Sequence, residues 1–279
     1  MRVQQSTSVA VLTESFDDTP SSVSATLTSA RTGATVSPAP STSIAGNRVK
    51  VSLTAADHTA NLDRLLLTVT ATVDSLATKQ VVQVDVVGSH FCSIGSLREE
   101  PKLDDKNRFP DALIAEIRDE IESYVEEAAG RAFVPTFGME KHIGDAGNNI
   151  VLRHHAVREL VSVTVDGSAQ NLSNFELLLG DQLHAKGGFP FINAEPVVVK
   201  LEHGEDRPPV KLVREVKKAI RSELMSRGAQ APRDLLWEQT ADGNTVRYST
   251  PDWNAGRFTG TMALDAAINA YRSVMIGFA

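Results

Sequence analysis

The sequence predicts an α+β multidomain protein, in which an N-terminal immunoglobulin-like β-sandwich is followed by a mostly helical domain with inserted antiparallel β-strands. Three observations lead to this prediction. Apolar side chains alternate with Ser and Thr before residue 90, a long helical spacing of apolar residues follows, and short strands and two further helices complete the chain. The predicted organisation is a sandwich at 1–90, a linker at 91–109 and a second domain at 110–279.

The amino-acid composition is typical of a soluble globular protein. The chain has 279 residues, of which 42% are hydrophobic and 23% are charged, and this length predicts about two domains. The net charge of −7 argues against nucleic acid as a general partner. The single cysteine, Cys92, excludes an intrachain disulfide, and the first residues lack the apolar core of a signal peptide. We therefore expect folding in a cytoplasm, with no membrane partner.

The predicted sandwich consists of short strands separated by turn residues. The longest alternating run extends from Leu65 to Val73, and turn sequences such as Thr32-Gly33 and Ala45-Gly46-Asn47 punctuate the segment. The cysteine and tryptophan core of antibody domains is missing, so the pattern predicts only the sandwich architecture.

A polar, charge-rich stretch follows Gly88, and we interpret residues 91–109 as a linker. Asp104, Asp105 and Asn107 in this stretch suggest a calcium-binding loop. However, Phe109 and Ala115 stand where that loop needs its glycine and its bidentate glutamate, so a calcium site is not expected.

The longest helix is predicted at 110–129. Pro110 suits a first helical turn, and Gly130 suits the left-handed position that ends a helix. The apolar side chains recur three and four residues apart and form one stripe, consisting of Leu113, Ile114, Ile117, Ile121, Tyr124, Val125 and Ala128. We assign the acidic side chains to a solvated face, which contains Glu116, Asp119, Glu120, Glu122, Glu126 and Glu127.

The rest of the chain predicts short elements. Asp166-Gly167 predicts a hairpin turn, and Asp242-Gly243 predicts a further hairpin or loop. Strands are predicted at 149–152, 161–165, 175–179 and 197–201, and helices at 209–227 and 261–272. The final residues are apolar.

Motifs that carry chemistry are missing, and we expect no enzyme activity, no cofactor and no metal site. The glycine-rich segment 144–149 lacks the Gly-Lys-Ser/Thr ending of a phosphate loop. His154 and His155 are adjacent, so on a strand they would point to opposite faces and could not easily share a metal. No Gly-x-Ser-x-Gly elbow and no His-Glu-x-x-His pair occurs.

Charge is segregated between two segments. Residues 101–150 carry eleven Asp and Glu against six Lys and Arg, whereas residues 209–227 carry six Lys and Arg against two Glu. These charges either join the two helices within one chain or pair across a boundary between subunits. For the second case we predict inter-subunit contacts through Glu116, Glu120, Glu127, Lys211, Arg214 and Lys218.

Five short motifs follow one another in a recognisable order, at 126–133, 163–167, 197–204, 208–209 and 260–272. Their order and spacing resemble the head-to-tail adaptor (connector) proteins of long-tailed bacteriophages. The resemblance covers roughly residues 98–279. The sandwich lies outside the common adaptor core, and it is similar to immunoglobulin-like additions on phage structural proteins.

The resemblance implies a structural virion protein of the neck between head and tail. It implies a homo-oligomeric, dodecameric ring of adaptor subunits, which binds the portal protein on one side and a tail-side stopper or terminator protein on the other. Double-stranded DNA would pass through this ring without sequence recognition, and the subunits would assemble in the host cytoplasm.

The C-terminal region of these adaptors commonly reaches the portal. The apolar end of this chain therefore predicts a portal contact, with the alternative that the end folds back onto its own domain. The predicted contact residues are Tyr271, Arg272, Val274, Met275, Ile276 and Phe278.

Two other function classes remain open. The first alternative is a phage or bacterial binding module whose β-sandwich recognises a glycan or a protein. The second is a hydrolase whose catalytic residues are not visible from their spacing, since catalytic triads are recognised by geometry.

Overall fold

The computed structural model describes residues 1–144, 147–179, 181–186, 191, 195–229, 237–239, 245–247, 259 and 261–272. Within these residues the chain forms sixteen β-strands and four α-helices. The chain divides into two compact units, each made of two separate stretches of sequence. Unit 1 contains Met1–Ser89 and Val134–Asp206, and unit 2 contains His90–Phe133 and Arg207–Ala279.

The first stretch of unit 1 contains seven strands in two sheets. The strands are β1 (Arg2–Gln4), β2 (Val9–Leu12), β3 (Ser22–Ser29), β4 (Ser41–Ala45), β5 (Arg48–Leu53), β6 (Asp63–Val73) and β7 (Leu76–Val87). One sheet has the order β1-β7-β6-β3 and the other has the order β2-β5-β4. Side chains from both sheets, among them Leu27, Val51 and Leu67, bury one common core, so the two sheets form a sandwich.

The second stretch of unit 1 contains seven more strands. They are β8 (Thr136–Ile143), β9 (Asn149–Val151), β10 (Val157–Val165), β11 (Ser168–Ala169), β12 (Phe175–Leu178), β13 (Gln182–Ala185) and β14 (Pro196–His203). Their sheets have the orders β11-β10-β14-β8 and β12-β13-β9. Both sheets contribute to a second core that includes Val163, Leu183 and Val199. Asp166 and Gly167 form the predicted two-residue hairpin, because both have a positive φ and connect the paired strands β10 and β11.

Specific contacts join the two stretches of unit 1. The guanidinium of Arg31 bonds to the carboxylate of Glu202 on β14, and the ammonium of Lys200 donates to the carbonyl oxygen of Arg31 at 2.8 Å. The backbone N–H of Gly88 donates to the carbonyl oxygen of Pro135 at 2.7 Å. The sandwich is therefore attached to the second pair of sheets through hydrogen bonds between residues that are distant in sequence.

Unit 2 contains the helices. They are α1 (Ile94–Arg98), α2 (Asp111–Ala129), α3 (Val210–Ala229) and α4 (Met262–Tyr271). The helices α2, α3 and α4 pack against one another. Gly130 ends α2 with a φ of 65°, as the sequence predicts, whereas Pro110 caps the helix in an extended conformation just before its first turn. Two further strands of this unit, β15 (Trp237–Gln239) and β16 (Thr245–Arg247), pair in antiparallel orientation.

The predicted fold class is wrong in its second domain, which is not mostly helical. Seven strands occupy 136–203, and the chain as described is mainly β. The reason is that β8 and β13 carry polar residues such as Glu140 and His184, which hid them from a search for apolar alternation. The predicted domain boundaries at 1–90, 91–109 and 110–279 stay a prediction. None of the helices in the described part of the chain is long and apolar enough to cross a membrane.

We expect the substitution Gly88→Ala to destabilise unit 1, because an added Cβ would lie 2.8 Å from the Cβ of Pro135. Overpacking of this kind costs about 1–3 kcal/mol, and urea unfolding followed by circular dichroism measures it. The control is Gly95→Ala, where the nearest atom to an added Cβ is the Ser93 hydroxyl at 3.8 Å. An equal loss in both variants, or no loss at Gly88, would contradict the close approach.

Candidate assembly interface

The acidic helix α2 and the basic helix α3 are joined within the chain by Arg227. Its guanidinium lies 2.9 Å from the carboxylate of Glu120 and 3.5 Å from that of Glu116. It also lies 3.1 Å from Glu223, one turn earlier on α3. Two of the predicted inter-subunit carboxylates therefore have a partner in their own chain, which is the intramolecular alternative that the sequence left open.

The predicted basic residues of α3 lie at the surface. Arg214 and Lys218 approach Glu215 of their own helix at 3.1 and 3.0 Å, and the hydrogen bond from Lys218 is the main reason that the pKa of Glu215 is lowered. Lys211 is exposed at the start of the helix, and Glu127 is exposed near the end of α2. The arrangement leaves a basic stripe of Lys211, Arg214 and Lys218, and its role between subunits stays a prediction.

Arg98 fixes the segment before α2. Its guanidinium donates to the carbonyl oxygens of Leu103 and Phe109 and lies 2.6 Å from the carboxylate of Asp111 in the first turn of α2. Two side chains of α3 bind the same region, since Lys217 and Arg221 donate to backbone carbonyl oxygens of residues 96 and 101. Together with Arg227, three of the six basic residues of α3 thus connect this helix to other segments of its own unit.

Glu122 is buried, and its assignment to the solvated face of α2 is wrong. Its carboxylate accepts the backbone N–H of Phe91 at 2.8 Å and lies 3.1 Å from Nδ1 of His90. Arg118 lies 2.9 Å from the other ring nitrogen of His90. Arg118 can only donate, so Nε2 of His90 accepts from it, and the N–H on Nδ1 faces Glu122. Glu126 was assigned to the same solvated face, and its carboxylate accepts the N–H of Phe133 at 2.6 Å.

Cys92 lies in the same buried region and is not a reactive thiol. Burial, followed by the nearby Glu122 carboxylate, raises the pKa of Cys92 to about 12. Because the thiolate is the reactive form, this cysteine is inert near neutral pH.

The predicted portal contacts are described only in part. Tyr271 ends α4 and packs edge-on against the ring of Phe133, with 6.2 Å between the ring centres. Arg272 follows the helix and is exposed. Val274, Met275, Ile276 and Phe278 lie outside the described residues.

A buried carboxylate with histidines around it lies in unit 1. Glu140 accepts the backbone N–H groups of Arg153 and His154 at 2.9 and 2.8 Å, and the rings of His142 and His154 bond to the same carboxylate. The ring of His203 packs on that of His154 with 4.0 Å between centres. Among the residues that the structure describes, no group of three or more His, Cys, Asp or Glu is arranged to hold a metal ion.

Two groups in this cluster have strongly shifted pKa values. Burial alone would raise the pKa of Glu140, but the hydrogen bonds from His142, His154 and two backbone N–H groups hold it well below its usual range. Burial, followed by the neighbouring His154, lowers the pKa of His203 to about 3. His203 is therefore neutral and Glu140 is charged in the folded protein at neutral pH.

The roles of three residues were not predicted from the sequence, namely Glu122, Arg227 and Glu140. Glu122 had a detectable signal, because it lies one helical turn from both Arg118 and Val125 on the inward side of α2. Arg227 and Glu140 had none, since the partners that define their roles are distant in the sequence: Glu120 for Arg227, and Arg153 and His154 for Glu140. These three residues stabilise the fold. A contact with another molecule would have to use the side chains that remain exposed.

No protein-family model and no curated protein matches the chain. The chain is similar to a chain in the neck of an empty GTA particle computed with C6 symmetry, with 12% identity and a TM-score of 0.47. It is also similar to a chain in the virion of a native gene transfer agent (GTA) particle, with 15% identity and a TM-score of 0.44. Each match covers 68% of this chain and 93% of the other chain. With identities and TM-scores this low, these matches carry no argument about function.

We expect Glu122→Ala to destabilise unit 2 by about 3–5 kcal/mol, because the N–H groups of Phe91 and of His90 Nδ1 lose the buried carboxylate that accepts from them. Each hydrogen bond to a charged group contributes about 1.5–3 kcal/mol. The matched control on the same helix is Glu127→Ala, which removes an exposed carboxylate and should cost less than about 0.5 kcal/mol. Urea unfolding of both variants is the measurement. Similar midpoints for the two variants would refute the buried role of Glu122.

Acid should destabilise unit 1 through His203 and Glu140. The unfolded chain binds a proton at an ordinary histidine below pH 6.5, whereas folded His203 resists protonation down to about pH 3, so stability falls as the pH falls through this window. Folded Glu140 also resists protonation, so its contribution is lost below the ordinary glutamate value of 4.5. Each titrating proton contributes a slope of up to about 1.4 kcal/mol per pH unit.

The measurement is urea unfolding between pH 7.5 and pH 4. His203→Asn removes the titrating ring and should flatten the loss between pH 6.5 and 4.5, whatever its effect on stability at neutral pH. An unchanged slope in this variant would contradict the assignment.

Proposed function

We propose that this chain is a structural subunit of the neck of a phage-like particle, and specifically a head-to-tail adaptor. In this proposal its copies form a homo-oligomeric ring that joins the portal protein to the tail and surrounds the passage for double-stranded DNA. The particle is assembled in the host cytoplasm, and a stopper or terminator protein binds on the tail side. The proposed role is structural and not enzymatic.

One observation carries the proposal, namely the ordered motifs that resemble phage adaptors. In the folded chain three of them lie at the ends of elements, namely the end of α2, the hairpin between β10 and β11 and the start of α3, and the other two cover the strand β14 and the helix α4. Motifs at element ends are what a shared scaffold would require, since caps and turns fix the geometry of the elements between them.

The exposed charges give the ring a plausible heterologous contact. Each subunit of a closed ring must present two different complementary faces. The basic stripe of Lys211, Arg214 and Lys218 is one candidate face. The acidic candidate face consists of Glu127 together with the partly exposed Glu116 and Glu120. We propose that the stripe of one subunit faces the acidic side of α2 in the next.

The net charge of −7 supports passage of DNA without tight binding. A protein that neutralises many phosphates binds DNA strongly through release of counterions. A subunit around a DNA channel needs to avoid such binding, because the genome must slide past it.

The sandwich supports a second candidate function, a binding module. One outer sheet face carries cross-strand pairs of hydroxyl side chains, in which Ser24 faces Thr70 and Thr26 faces Thr68. Hydroxyl side chains of this kind suit hydrogen bonding to a glycan or to another protein. The strand order of the two sandwich sheets also supports the predicted immunoglobulin-like type.

The test is to measure the mass of the purified protein alone and after mixing with the portal protein of the same particle, by analytical ultracentrifugation and electron microscopy. The adaptor proposal predicts rings on the portal, and a binding module predicts none. Reversing the stripe with Lys211→Glu, Arg214→Glu and Lys218→Glu should abolish the rings and leave the fold intact. The control is Arg227→Ala, which removes only ion pairs within the chain, to Glu116, Glu120 and Glu223, and should leave the rings intact. Rings that survive the reversal would exclude the proposed charged contact.

A further inference from the structure

The hairpin of β12 and β13 ends in exposed apolar side chains. Leu179 is 96% exposed and has a φ of 54°, a backbone region that leucine rarely adopts. Leu178 pairs with Gln182, which pairs with Val151 of β9, so these three side chains lie on one face of the sheet. Val151 is 60% exposed. We call Leu178, Leu179 and Val151 the apolar tip.

The apolar tip is unfavourable in an isolated chain. Burial of a leucine side chain contributes about 1.5–3 kcal/mol, which Leu179 forgoes while it remains in water. Its left-handed backbone costs roughly 1–2 kcal/mol more. A polar residue or glycine would suit this turn better. Exposed apolar groups in a strained turn are typical of interaction sites.

A complementary surface lies on the edge strand β8 of the same unit. Met139, Lys141 and Ile143 alternate with buried residues, so they share the outer face of the strand. Met139 is 43% exposed and Ile143 is 75% exposed. We call these three residues the β8 outer face. It is a second apolar surface, with a lysine between its two apolar side chains.

The charges beside the two surfaces are opposite. Asp181 follows the apolar tip, and its half-exposed carboxylate lies 3.8 Å from His155. Lys141 is exposed at the centre of the β8 outer face. Such complementarity fixes the register of a contact and disfavours wrong partners.

We propose that the apolar tip of one subunit packs on the β8 outer face of the next subunit, a second copy of this chain, with Asp181 near Lys141. This inference rests on the proposed ring. It adds a contact through unit 1 to the charged contact proposed for the helices of unit 2. Because the tip and the β8 outer face differ, the contact is head-to-tail, as a closed ring requires.

The small size of the contact favours this occupant. A stable complex of two free proteins buries about 1,200–2,000 Å², far more than a few side chains supply. Two free copies would therefore separate. In a closed ring every subunit makes the contact twice, once through each surface, and the other contacts hold the surfaces at high effective concentration.

The experiment uses two single-cysteine variants, Leu179→Cys and Ile143→Cys, which are mixed, assembled on the portal and treated with a short thiol cross-linker. The natural Cys92 is buried and inert, so it does not interfere. The expected product is a covalent pair that contains one copy of each variant. Either variant alone should give no cross-linked pair.

The outcomes separate this inference from the proposed function. Rings that form but give no mixed cross-link overturn the inference and leave the ring intact. Cross-linking of the Leu179→Cys variant with itself means a two-fold contact and also overturns it. Failure to form rings overturns the proposed function, and the inference falls with it.

A charge exchange provides the second readout. Asp181→Lys and Lys141→Glu should each weaken ring assembly by more than about tenfold, and the two together should restore it. Leu179→Asp should also weaken assembly. The matched control is Leu76→Asp, which changes a leucine that is 72% exposed in the sandwich. Equal effects at both leucines, or no restoration in the exchanged pair, would contradict the contact.

Discussion

The fold of unit 1 depends on hydrogen bonds made by Arg31, a residue in the turn after β3. Its N–H donates to Asp63 at the start of β6, and its guanidinium bonds to Leu62 and to Glu202. Its carbonyl oxygen accepts from Lys200. One residue therefore fixes two strands of the sandwich and the strand β14, which is distant in the sequence. Such cross-links oppose local opening of the fold.

Unit 2 uses charge in the same way. Two charged residues bind backbone atoms of their own unit: Glu122 accepts the N–H of Phe91, and Arg98 donates to the carbonyl oxygen of Leu103. A third, Arg227, binds the carboxylate of Glu120. The segregation of acidic and basic residues in the sequence therefore has a role within the chain. Part of it holds α2, α3 and the segment before α2 together, and the remainder, centred on Lys211 and Arg214, is exposed at the surface.

Local elements of the fold were predictable, and its long-range connections were not. Amphipathic spacing located α2 and α3 closely, and Asp166-Gly167 marked its hairpin, since these signals depend on neighbouring residues. The strand β8 was missed because Glu140 faces inward and is stabilised by His154, a partner beyond the next strand. Similarly, nothing near Arg31 in the sequence indicates Glu202, and nothing near Leu179 indicates a receiving surface, so the candidate site required the folded chain.

Native-state hydrogen exchange tests most directly whether unit 1 is one cooperative body made of two stretches of sequence. The amides of β6 and β14 are monitored at increasing urea concentration. The structure predicts that both strands exchange through a single opening with the same free energy and the same dependence on urea. If β14 exchanges through a smaller opening while β6 remains protected, the sandwich folds alone, and the account of unit 1 is contradicted.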